Sequence, residues 1–95
     1  MRRADLIERL ATMKPWLQSL GIVRLRLFGS HARDEAGPNS DIDLIADFAT
    51  PPSLLELIGV EQELAARLGA PVDLATSAGL KPRVRDRIEA EAVDA

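Results

Sequence analysis

The residues able to do chemistry in this chain gather in its middle and return once further along. Gly29-Ser30 is followed, after ten residues, by Asp41-Ile42-Asp43, and another aspartate stands in Pro71-Val72-Asp73-Leu74. Side chains alternate along a strand, so Asp41 and Asp43 leave one face about 6.6 Å apart along the chain, while Ile42 and Leu44 turn to the apolar side. Two carboxylates so close repel, and one takes up a proton unless a cation lies between them. Mg²⁺ suits such a place, since it takes oxygen ligands and keeps positions open for phosphate. Asp73, centred on another strand, supplies the third carboxylate that a two-ion site needs.

Gly29-Ser30 adds the complementary part. Glycine lets backbone come close to a ligand, and Ser30 offers a hydroxyl and an amide at a helix start, where anions are favoured. Together the parts suit a nucleoside triphosphate, although no G-x-x-x-x-G-K-[ST] loop is present. Blander readings exist for each residue. A lone D-x-D is often a solvated strand end, Pro-Val-Asp suits a strand exit, and Ser30 also fits a helix cap. Arg33 either reaches a phosphate or pairs with Asp34 or Glu35. His31 reads as an exposed loop side chain, and Arg24 and Arg26 as flanks of the sheet. Lys81, Arg83, Arg85 and Arg87 alternate with acids on a solvated helix. Trp16 reads as core or as an anchor for a partner.

These groups must be carried by short, punctuated elements. Leu6, Ile7, Leu10, Met13, Leu17 and Leu20 have helical spacing over Ala4 to Leu20, with a break expected near Met13 to Lys14 because of Pro15. Ile22 to Phe28 reads as a strand with Val23, Leu25 and Leu27 on one face. Asp34 to Ser40, rich in turn formers, is a loop. Ile42 to Phe48 is a second strand. Ser53 and Glu56 form a capping box ahead of a stripe of Leu54, Leu57, Ile58, Leu64 and Leu68, with Gly69 as the stop. Val72 to Ala75 is a third strand, and Pro82 opens a charged helix to about Ala92. This alternation predicts an α+β fold with α/β-like order: a small mixed β-sheet with helices packed on it.

Composition removes several alternatives. With 95 residues, 46% hydrophobic and 28% charged, the chain fits one folded domain and argues against wholesale disorder. A net charge of −3 and only 3% aromatic residues disfavour nucleic acid as a partner. No cysteine is present, which excludes disulfide scaffolds and thiol catalysis. No apolar run approaches the roughly 20 residues of a membrane span, and the expected setting is the cytoplasm.

The same residues carry a family resemblance. Leu27-Phe28-Gly29-Ser30, Ala32-Arg33, Ser40-Asp41-Ile42-Asp43-Leu44, Asp73 and the tail from Leu80-Lys81-Pro82 to Glu91-Ala92-Val93 resemble the DNA polymerase beta-like nucleotidyltransferase superfamily. The likeness is greatest to its minimal nucleotidyltransferase (MNT) branch, whose members pair with HEPN-domain toxins. It spans nearly the whole chain and implies one nucleotidyltransferase domain over residues 1–95. It also implies Asp41, Asp43 and Asp73 as catalytic and metal-holding residues, and Gly29, Ser30, Arg33 and Ser40 at the nucleotide. The implied reaction is Mg²⁺-dependent, with two ions, and moves AMP from ATP to a hydroxyl of the HEPN toxin, a tyrosine in such pairs, making the chain an antitoxin. Neutralising the partner by binding alone, and nucleotidylation of RNA or a small molecule, are the alternatives. His31 departs from the basic or other polar residue many members carry. Only two residues follow Val93, where relatives often continue into an edge strand.

Overall fold

The computed structural model describes residues Met1–Ala95. Helices α1 (Arg3–Thr12) and α2 (Lys14–Ser19) are separated at Met13, and Pro15 sits in the first turn of α2, where a missing N–H costs nothing. Strand β1 (Ile22–Phe28) leads into a single turn, α3 (Gly29–Ala32); β2 (Ile42–Phe48) follows the loop. Helix α4 (Leu54–Leu68) begins at the capping box, in which Glu56 N–H donates to Ser53 Oγ at 3.1 Å and Ser53 N–H to Glu56 Oε1 at 3.3 Å. It ends where Gly69 takes φ 70°. Then come β3 (Val72–Thr76), a 3₁₀ turn (Ser77–Gly79), α5 (Pro82–Glu91) and β4 (Val93–Asp94).

The four strands form one mixed sheet in the order β3-β2-β1-β4. β1 is antiparallel to β2 and β4, while β2 and β3 run parallel, joined by the crossover through α4. The α+β expectation and the mixed sheet hold. One face buries Leu25, Leu27, Ile42, Leu44, Ala46 and Leu74 against Leu6, Leu10, Leu17, Leu64 and Leu68 of α1, α2 and α4. The other face carries Arg26, Ile45 and Asp47 with α5, whose Ile88 is buried there.

Several local expectations need correction. Val23 does not share the face of Leu25 and Leu27: the ladder slips between Ile22 and Arg24, and Val23 is pushed out to 68% exposure. Arg26 is not a solvated flank but buried, between Asp47 at 3.8 Å and Glu89 at 3.4 Å, with its Nε unpaired. In α4, Leu54 and Ile58 are exposed, while Leu64 and Leu68 are buried and Leu57 and Val60 pack partly buried against the core, because the face that meets the sheet runs through these residues and misses Leu54 and Ile58. Trp16 is half-buried, stacked under the Arg67 guanidinium. The third strand runs one residue further than expected, and Val93–Asp94 supply a two-residue edge against Arg26 and Leu27.

Candidate active site

Strand direction brings the separated carboxylates together. Because β2 and β3 are parallel and in register, Asp43 is the direct neighbour of Asp73, and both point to the face opposite the main core. Antiparallel pairing of β1 puts Phe28 opposite Asp43, so the chain leaves β1 at the same end of the sheet. Gly29 then turns sharply with φ 73°, a conformation that disfavours any side chain. A methyl group built there would collide with Asp43 Oδ2 and lie 3.3 Å from its Cγ. The elbow's backbone therefore rests against the carboxylate, which only a glycine permits.

The electrostatics follow from that crowding. Burial pushes the Asp43 carboxyl above the usual carboxylate range, and Asp73 and then Asp41 push it further, with His31 and Arg33 opposing. Asp41 and Asp73 are exposed and Asp43 is half-buried. None of the three accepts a side-chain hydrogen bond or joins an ion pair within the protein. They do not form a ready-made cage, since no three acidic or histidine side chains close around one point. Like charges with no cation between them have no reason to converge. The donor set nonetheless fits Mg²⁺: oxygens only, uncompensated, and open on the side where phosphate oxygens could complete the shell.

The other expected residues are less alike. Ser30 is half-buried within α3, not its cap: Phe28 holds the cap position without a side-chain bond, and the Ser30 hydroxyl has no protein partner. Arg33 passes over Asp34 and pairs with Glu35 at 3.1 Å and with Glu91 at 3.7 Å. Asp34 instead accepts the Arg3 backbone N–H at 2.9 Å. Ser40 closes its own loop, accepting the Gly37 N–H at 2.9 Å. His31 is not an exposed loop side chain: it is 4% exposed, because α3 lies flat on β1 and β2 and buries one side. Reading Ser30 to Arg33 as a turn packed on a sheet, with Ala32 also inward, was the available signal for that burial. A cleft of about 350 Å³ lined by Phe48, Pro51, Pro52, Leu54, Leu57 and Ser77 opens at the opposite end of β2, away from the carboxylates. No helix is long and apolar enough to cross a membrane.

The site is thus a mixed sheet with adjacent carboxylates on β2 and β3 beside a glycine-serine elbow. The Nucleotidyltransferase domain family matches residues 5–95, and the chain belongs to that family. It is 37% identical over 83 residues to "Protein adenylyltransferase MntA" of Thermococcus cleftensis, covering 87% of this chain and 84% of the relative. It is 42% identical over 80 residues to a candidate protein adenylyltransferase of Methanocaldococcus jannaschii, covering 84% and 86%. A solved candidate minimal nucleotidyltransferase superposes with TM-score 0.84 at 35% identity, covering 98% of this chain and 95% of that one. A chain from a structure of the tri-AMPylated Shewanella oneidensis HEPN toxin with its MNT antitoxin has TM-score 0.71 at 18% identity, covering 90% and 67%, a likeness of fold.

Proposed function

We propose that this nucleotidyltransferase is a protein adenylyltransferase. It moves AMP from ATP to a hydroxyl, a tyrosine, of a HEPN-domain toxin and so acts as the antitoxin of a pair. The observation that carries the reading is the placement of Asp43 and Asp73 side by side on β2 and β3, with the Gly29 backbone against Asp43. Relatives at 42% and 37% identity with the adenylyltransferase description support the substrate class. The MNT–HEPN complexes that share the fold suggest the partner. The net charge of −3 counts against RNA as acceptor. Because the reaction consumes ATP, the proposed setting is the cytoplasm.

In this mechanism Asp41, Asp43 and Asp73 hold Mg²⁺, taken to be two ions. When bound, the metal neutralises charge on the phosphates and lowers the barrier to attack at phosphorus. The chain's own residues do the rest. The Gly29 backbone and the free Ser30 hydroxyl receive the phosphate tail, and Arg33, released from Glu35 and Glu91, and Ser40 flank it. Asp73, exposed at the open edge of the sheet, orients the acceptor hydroxyl and takes its proton. The acceptor oxygen bonds to the α-phosphorus as the bond to the β-phosphate oxygen breaks, and pyrophosphate leaves.

The test is incubation of the chain with ATP, Mg²⁺ and a cognate HEPN protein, followed by intact-mass measurement. Addition of AMP to the partner, lost in the folded Asp41→Ala/Asp43→Ala double variant, is the expected result. A partner neutralised with no mass gained indicates an antitoxin that works by binding alone.

A further inference from the structure

His31 is the chain's single histidine, and the reaction above leaves it without a task. It is 4% exposed while the next residue but one, Arg33, stands in solvent. Its Nδ1 is fully buried and has no hydrogen-bond partner. Burying a ring nitrogen unpaired costs desolvation with nothing returned, so an apolar side chain would serve packing better. α3 packs on β1 and β2, and its first residue lies against the Asp43 carboxylate. The imidazole, two residues on, is near enough to Asp43 to oppose the repulsion from Asp73 and Asp41. Arg33, which also bears on Asp43, is drawn away by Glu35 and Glu91.

We propose that His31 is a positioning residue for Asp43, its buried Nδ1–H held to donate to the Asp43 carboxylate when that carboxylate turns onto a divalent cation. Gly29 then limits the carboxylate on one side and His31 fixes it from behind, an outer-shell bond of the kind that orients metal-holding carboxylates. The inference rests on the reading of Asp43 as a cation ligand and adds the group that aims it.

The test compares His31→Phe, His31→Asn and His31→Gln with Asp43→Ala, using Mn²⁺ alone, titrated by the electron paramagnetic resonance of the free ion. His31→Phe should weaken Mn²⁺ binding about 10- to 100-fold and lower kcat with little change in KM for ATP. His31→Asn, whose amide falls where Nδ1 was, should recover most of the loss; His31→Gln, whose amide falls at Nε2, should not. Full Mn²⁺ affinity in His31→Phe, or rescue by Gln and not by Asn, overturns the proposal. Should the variants misfold, the wild-type ring ¹⁵N resonances decide it. Mg²⁺ should shift Nδ1 as a protonated nitrogen, and only when Asp43 is present; no Mg²⁺-dependent change overturns the proposal. Asp43→Ala with undiminished Mn²⁺ affinity removes the underlying site reading, whereas loss in Asp43→Ala without loss in His31→Phe removes only the role of His31.

Discussion

Asp43 and Asp47 lie four residues apart on β2, point to the same face and are both half-buried, yet their surroundings are opposite. Asp47 is answered from two directions: the Ser77 hydroxyl donates to its Oδ1, and Arg26 approaches at 3.8 Å. Asp43 has Asp73, Asp41 and the bare backbone of Gly29 close by, and although His31 and Arg33 partly oppose the repulsion, no donor or cation is bonded to it. One end of the strand therefore has its charge settled by the fold. The other end stores repulsion that nothing in the fold fully relieves. The difference teaches that a carboxylate's task is read from what faces it, since residue type, strand and depth are shared here.

The comparison breaks most sharply on activity. Asp43→Ala should reduce nucleotidyl transfer on the order of 10³-fold, the scale of removing an essential electrostatic contact, with circular dichroism unchanged. Retained transfer would erase the distinction between the two ends.

Gly29→Ala should be next. It forces a side chain into φ 73° and against Asp43, so both stability and transfer fall. A loss of about 1–3 kcal/mol, or a Tm lower by about 5–15 °C in a domain of this size, is expected in a thermal melt.

Asp47→Ala sharpens the contrast from the structural end. Arg26 keeps Glu89 but loses its second carboxylate, and Ser77 loses its acceptor. Stability should drop by about 1–2 kcal/mol, while transfer measured on the folded fraction stays within about threefold of wild type.

The smallest effect has the opposite sign. Asp43 binds its proton more tightly in the fold than in the unfolded chain, because burial, Asp73 and Asp41 all disfavour the charge. Its favourable contribution is thus present below the ordinary carboxylate range and lost as pH rises through the raised folded value. At pH 7 the ionised carboxylate is a net cost. Asp43→Asn should therefore raise Tm by about 1–3 °C at pH 7 and by less near pH 4, while remaining inactive. An equal or lower Tm at pH 7 would mean that the site stores no repulsion.

Much of this was legible before any coordinates. Gly29-Ser30 and Asp41-x-Asp43 announce themselves by spacing, and Ser53 with Glu56 and Gly69 bound α4 because capping is a local matter. Burial decided by packing was not legible. Arg26 looks like half of an alternating polar face until α5 covers it and Asp47 and Glu89 answer it. His31 looks like a loop residue until α3 is laid on the sheet. Leu54 and Ile58 look like core until the face of α4 that meets the sheet proves to run through Leu57, Val60, Leu64 and Leu68. Ser30 as a cap is a local expectation displaced by the chain's actual path, whereas Arg33 takes Glu35, one of its two expected acidic partners.

What the order of residues determines here is the kind of groups present and the local grammar of the elements that bear them, because strand alternation, caps and turns act over a few residues. What only the folded molecule decides is who stands beside whom. Asp73 becomes a neighbour of Asp43 through the parallel pairing of β2 and β3, 30 positions apart, and Gly29 reaches Asp43 through the antiparallel return of β1. Charge repulsion and desolvation depend on distance in space, so the unpaired carboxylate of Asp43 exists as a chemical object only once the sheet has formed.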